Sequence, residues 1–247
     1  MGIAAENILK NIGNFMIDFT PTHVQTDRKP INKNYRAGKP RNGGVPIVLT
    51  ASRIEMNDFN LSPFFAFSGS FPPILPRHLL NKVLYGPSRF NMDGTAKFAP
   101  YGLRKVEALL IKEFGEENVA TVHPQSLGEF IGPETKVVGI STMDPLGIGF
   151  VSRTYSSILG LSGKSLNHIA FESLLSNPAL RKYNPKIIVG GSGAWQISNA
   201  KMQDKLNIDT ILIGKAETTV TEIFRKALAS ERIDRIITTI SCHCSGS

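Results

Sequence analysis

Apolar positions along the chain fall into short runs separated by stretches of helical periodicity. Val45 to Leu49 is a run of the kind that forms strands buried on both faces. Asn118 to Val122, Val137 to Ser141, Lys186 to Gly190 and Asp209 to Ile213 repeat the pattern. Between them, Leu103, Val106, Leu110 and Phe114 share one helical face, and Gly115 stops that helix. Ser126 to Ile131 has room for one or two turns, and residues 147–160 read as helical despite several glycines. Leu166, Ile169, Ala170, Leu174 and Leu175 form an amphipathic stripe; residues 196–206 read as a helix. Val220, Ile223, Phe224, Ala227 and Leu228 make the last stripe. Strand and helix alternate about five times, which predicts an α/β fold. Right-handed crossovers then give a doubly wound, Rossmann- or flavodoxin-like layout: a mostly parallel, five-stranded sheet with helices on both faces.

This domain is expected to span residues 45–230. Ahead of it, residues 1–44 combine a short helix near residues 4–17 with a polar tail from Asn32 to Gly44, a flexible basic extension. After the first strand, Phe59, Phe64, Phe65, Phe67 and Phe71 sit among Pro63, Gly69, Pro72 and Pro73, too punctuated for a regular helix and read as a long, partly buried loop. Residues 231–247 read as a short C-terminal tail, the truncated start of a further domain.

Composition narrows the classes. A hydrophobic fraction of 41% over 247 residues is ample for a core. No apolar run reaches the ~18 residues of a membrane helix, and no apolar stretch near the N-terminus leads into a small-residue cleavage site. A cytoplasmic protein without a membrane partner is expected. The net charge is +8, and residues 23–44 carry Arg28, Lys29, Lys33, Arg36, Lys39 and Arg41 against Asp27 alone. Such a segment attracts nucleic acid or anionic lipid, or is simply a solvated arm. No aromatic ladder or nucleic-acid motif accompanies it, so nucleic acid is not the expected partner. Cys242 and Cys244 are the only cysteines and make neither a disulfide framework nor a standard zinc site.

In doubly wound sheets the ligand lies beyond the carboxyl ends of the strands. Candidate cofactor-binding residues are therefore Thr50 and Ser52 after the first strand, and Ser141, Thr142, Met143 and Asp144 after the third. Gly190, Gly191, Ser192 and Gly193 follow the fourth, and Gly214 and Glu217 follow the fifth. Glycines there let the backbone approach a large ligand; each glycine loop equally serves as a tight strand-to-helix turn. Neither G-x-G-x-x-G nor a phosphate-binding G-x4-G-K-[ST] loop is present. Glu217 either caps the last helix or holds a ligand amide. Trp195 packs on the sheet or covers a ligand ring. His78, His123 and His168 lack ligand-like spacing and read as surface or satisfied histidines.

The succession Val138-Gly-Ile-Ser-Thr142, Lys186-Ile-Ile-Val-Gly-Gly-Ser-Gly193 and Asp209-Thr-Ile-Leu-Ile-Gly-Lys-Ala-Glu-Thr218 resembles the N-terminal cobalamin-binding domain of radical S-adenosylmethionine enzymes. The resemblance covers roughly residues 45–230. In that family the fourth strand ends in a Gly-Gly loop and the fifth in a Gly-Glu-x-Glu-type turn, matched here at Gly214 and Glu217, with Lys215 replacing the first acid. Val48-Leu-Thr-Ala-Ser-Arg53 looks like a branch that includes protein C-methyltransferases. The resemblance implies cobalamin across the carboxyl edge, its nucleotide tail accommodated by the loops after Ile140 and Val189. With no Asp-x-His-x-x-Gly after the first strand, it implies no histidine from that motif on the cobalt. The family's four-iron four-sulfur cluster, which binds S-adenosylmethionine, needs C-x3-C-x2-C, whereas this chain has only Cys242-His243-Cys244. The chain therefore reads as the front part of such an enzyme, partnered in cis or trans by the missing radical domain, with an unidentified substrate for which a protein is the candidate. The alternative is a flavodoxin-like domain that binds a nucleotide or flavin without radical chemistry; a nucleic-acid adaptor ranks third.

Overall fold

Each apolar run becomes a strand covered on both sides by the helical stripes between the runs. The structure, a computed structural model, describes residues 43–57, 68–72, 90–91, 93–159 and 163–239. The helix expected near residues 4–17, the basic arm as far as residue 42, His78, most of the phenylalanine-rich loop, Cys242 and Cys244 lie outside the described residues.

Among the described residues, β1 (Ile47–Ala51), β2 (Val119–Thr121), β3 (Val137–Ser141), β4 (Lys186–Gly190), β5 (Thr210–Gly214) and β6 (Ile236–Thr239) form one sheet in the order β2-β1-β3-β4-β5-β6. Every pairing is parallel. The sheet thus has six strands where five were expected. Ile236–Thr239, assigned from sequence to the tail, pairs along β5 from Ile211 opposite Ile236 to Gly214 opposite Thr239. Its side chains are only partly covered, so it lacks the continuous apolar run that marks the inner strands. β1 starts at Ile47 rather than Val45 because Pro46 has no N–H to pair; its carbonyl instead accepts from Lys136 and Val137.

The helices are α1 (Tyr101–Phe114), α2 (Leu127–Phe130), α3 (Phe150–Leu159), α4 (Leu166–Leu175), α5 (Pro178–Tyr183), α6 (Ala194–Asn199) and α7 (Val220–Leu228). Local signals set their ends. Ser165 caps α4 by accepting from His168 N–H, and Asn177 caps α5 by accepting from Ala179 N–H, ahead of Pro178 at its first position. The helix read over residues 196–206 stops at Asn199; two residues on, Lys201 takes a left-handed φ of 53°.

Strand alternation splits the core into two layers. On one face, Val48, Val138, Ile140, Val189 and Ile211 pack with Leu127, Phe130, Phe171, Leu174, Leu180 and Ile197. On the other, Ile47, Leu49, Val137, Ile188 and Leu212 meet Leu103 and Leu110 of α1 and Ile223 and Phe224 of α7. Gly139 gives Phe224 its seat: a Cβ there would stand 2.9 Å from the ring. The sheet order reverses direction at β1, whose neighbours are β2 on one side and β3 on the other. Such a reversal leaves a crevice at the carboxyl edge.

Candidate functional site

The loops at the carboxyl edge are tied to one another before any ligand is considered. Asp144 is buried and accepts three hydrogen bonds: from Gly149 N–H at 2.9 Å, from Gln196 Nε2 at 2.8 Å and from the Ser152 hydroxyl. Gln196, also buried, accepts from Leu146 N–H at 3.2 Å. The loop after β3 is thereby bolted to α6. On its other side, Met143 N–H donates to the Glu55 carboxylate at 2.6 Å, and Ser52 N–H reaches the second oxygen at 3.3 Å. Burial pushes the Glu55 carboxyl from 4.5 up to about 7, although both backbone donors pull it down; the Asp144 charge adds to the rise.

These ties explain several residues singled out from the sequence. Thr50 is fully buried and donates to Val122 O at 2.7 Å, so it joins β1 to the end of β2 and does not face a ligand. Ser52 is buried in the turn that holds Glu55. Thr142 lies buried beneath the β4 loop, its N–H donating to Gly190 O and its carbonyl accepting from Gly193 N–H, both at 2.9 Å. Gly191, at φ +97°, would place a Cβ 2.5 Å from Thr142 O. A Cβ on Gly193 would stand 2.6 Å from Pro145 Cδ and closer still to Met143 O. Both glycines serve contact between two loops of the protein. Gly214, at φ +104°, is crowded in the same way by Thr239 of β6. Gly190 differs: its Cβ would meet nothing nearer than 3.8 Å.

Replacing Thr50 by valine keeps the shape and removes one hydrogen bond. We expect a loss of about 1 kcal/mol, read from urea unfolding, and unchanged ligand retention; weaker retention at unchanged stability would return Thr50 to the site.

A cavity of about 330 Å³ opens where the carboxyl ends of β3, β4 and β5 meet α1 and α7. Ile188 and Leu212 floor it, with Leu103, Val106, Val220 and Phe224 as apolar walls. Of the candidate residues, Ser141, Gly190, Gly191, Ser192, Gly214 and Glu217 come together around it. Glu217 is exposed and ion-paired with Lys105 of α1, which holds its carboxyl below the usual range. Its visible role is to bridge the cavity rim. Sequence reading missed the apolar walls, Lys105, Glu55 and Gln196. The walls were present in the stripes of α1 and α7, but periodicity alone does not separate a core position from a cavity wall.

Large apolar side chains also stand exposed around this edge: Tyr101 at 78%, Met143 at 62%, Phe150 at 87% and Trp195 at 41%. A larger hollow, about 1020 Å³, opens at the opposite edge among side chains such as Arg181, Lys186, Lys205 and Asp209. Several of its charges are engaged within the protein: Arg235 with Asp204, Asp209 with the Ile187 N–H and Lys186 with the Glu231 carbonyl. Sheets of this kind bind at the carboxyl edge, so the smaller cavity is the candidate site.

Both described histidines have partners. His123 accepts from Gln125 N–H at 3.2 Å, and burial, with the Arg53 charge, lowers it to about 4. His168 lies 3.0 Å from Leu146 O and 3.2 Å from Glu172. Among the described residues no group of His, Cys, Asp and Glu is arranged to hold a metal, and no helix is long and apolar enough to cross a membrane. No family model, no curated protein and no solved structure matches the chain.

Proposed function

We propose that this chain is the cobalamin-binding module of a radical S-adenosylmethionine enzyme, with C-methyl transfer as the parent chemistry. The observation that carries the reading is the cavity at the carboxyl ends of β3, β4 and β5: apolar inside, glycine- and serine-lined at its mouth, and ringed by exposed apolar side chains. Its volume of about 330 Å³ suits the flat aromatic base that ends the cofactor's nucleotide tail. Leu103, Val106, Val220 and Phe224 would hold that base. Ser141, Ser192 and the Gly190 backbone would meet the polar tail as it leaves. Tyr101, Met143, Phe150 and Trp195 would exclude water where the corrin and a partner domain cover the edge. The sheet order, read as flavodoxin-like and doubly wound, supports this placement.

When bound, the cofactor supplies the methyl group and the redox chemistry; the protein binds and orients it. Among the described residues, His123 and His168 are engaged elsewhere, so neither would offer its imidazole to the metal. Two cysteines cannot hold a four-iron four-sulfur cluster, so the cluster and S-adenosylmethionine belong to the partner domain, in cis or trans.

The test is the visible spectrum of the purified chain after incubation with hydroxocobalamin and desalting. About one equivalent of corrin should be retained. Gly102 lines the cavity and has nothing within 4 Å of its Cβ position, so Gly102→Trp should block entry and reduce retention at least tenfold without unfolding the chain. Equal retention by both proteins would remove the cavity from the proposal; none by a folded wild type would remove the cofactor. One observation favours a flavin or nucleotide instead. Lys215 stands exposed at the mouth and, among the described residues, has no ion-pair partner, so it is available to a phosphate. Retention of FMN, with no response to cobalamin, would decide for that reading.

A further inference from the structure

The turn after β1 carries Arg53 and Glu55, and the two side chains do not pair with each other. Glu55 gives its carboxylate to the N–H groups of Met143 and Ser52. Among the described residues the Arg53 guanidinium makes no hydrogen bond or ion pair, and its Nε is buried without an acceptor. A buried donor left unmade costs about 1–3 kcal/mol, and more when it belongs to a charged group.

Arg53 follows β1 and His123 follows β2, the adjacent strand. The Arg53 charge reaches the imidazole strongly enough to hold down its protonation, second only to burial. Gln125 N–H donates to Nδ1 of that imidazole at 3.2 Å. Phe90 makes an edge contact with that ring, the two centroids 5.9 Å apart. A planar guanidinium presents paired N–H groups that match the two oxygens of a carboxylate or phosphate.

We propose that Arg53 anchors an oxyanion-binding site at the carboxyl ends of β1 and β2, taking the phosphate or carboxylate of a small molecule. This site lies beyond the cavity at β3 to β5 and does not depend on what that cavity binds. An anion on Arg53 neutralises the charge that holds His123 down. The histidine therefore reports occupancy directly.

The experiment is NMR observation of the His123 ring in the full chain at constant ionic strength, titrated in separate arms with inorganic phosphate, acetate and chloride. Saturable shifts of His123 are expected with phosphate or acetate, with its pKa rising from about 4 as the site fills. The stronger arm identifies the oxyanion class. Arg53→Gln should raise the His123 pKa without any anion and abolish the saturable shift. Arg53→Lys keeps the charge but not the fork, so it should keep the low pKa and bind more weakly; it also serves where the glutamine variant does not fold. Responses to phosphate and acetate no different from chloride, or a saturable shift that survives in Arg53→Gln, would overturn the proposal.

Discussion

Replacing Gly193 by alanine is expected to cost about 3 kcal/mol of folding stability, whereas the same change at Gly190, three residues earlier, should cost less than about 1 kcal/mol. The difference lies in what each new methyl meets. At Gly193 it would enter the backbone of the β3 loop, 2.6 Å from Pro145 Cδ and nearer to Met143 O. That loop cannot retreat, because Asp144 and Gln196 bolt it to α6 and Glu55 holds Met143 from the other side. At Gly190 the nearest atom is 3.8 Å away. Gly191→Ala should resemble Gly193→Ala, since a Cβ would meet Thr142 O at 2.5 Å and φ is +97°. Urea midpoints with unchanged slopes measure all three. Equal midpoints for the 190 and 193 variants would mean that the loops do not press together. Of these three loop glycines, Gly190 alone has an open Cβ position beside the cavity, so it is the one whose missing side chain would leave room for the proposed ligand.

That contrast also marks how far the residues alone carry the structure. The inner strands were legible because both sheet faces are covered, which demands continuous apolar runs such as Val137 to Ile140. β6 escaped because an edge strand with partly covered side chains demands no such run. The glycine loop after β4 was legible as a place of close approach, but what approaches it was not; in the fold it is the β3 loop. The ties that fix the edge join residues far apart in sequence, Glu55 to Met143 across 88 positions and Gln196 to Asp144 across 52. No periodicity or spacing encodes them. Glu217 shows the opposite failure. It sits where the fifth strand's turn meets the last helix, as read, yet its partner is Lys105 on α1.

The buried titratable groups give the second large effect, and it is hidden in the wild type because two of them oppose each other. Glu55 is raised from 4.5 to about 7. Between those values the folded chain holds a proton that the unfolded chain has released, so stability falls as pH rises. His123 is lowered from 6.5 to about 4. Between those values the unfolded chain holds the proton and the folded chain does not, so stability rises with pH. From about pH 4.5 to 6.5 the two slopes cancel, and these groups leave the wild type nearly flat. Glu55→Gln removes one side of the balance. Its stability should climb by about 2–3 kcal/mol relative to wild type between pH 4.5 and 6.5. His123→Gln removes the other, and its stability should fall by a similar amount toward pH 7. Exposed carboxylates held low by lysine partners, such as Glu172 and Glu222, contribute equally to all three proteins and drop out of the differences. Thermal or urea unfolding at four pH values between 4.5 and 7.5 is sufficient. Parallel profiles for the three proteins would show that neither group is perturbed by burial. Opposite slopes would establish that folding takes up a proton at Glu55 and gives one up at His123. Whatever binds at either place then shifts the pH of maximum stability in a direction that identifies which of the two it reached.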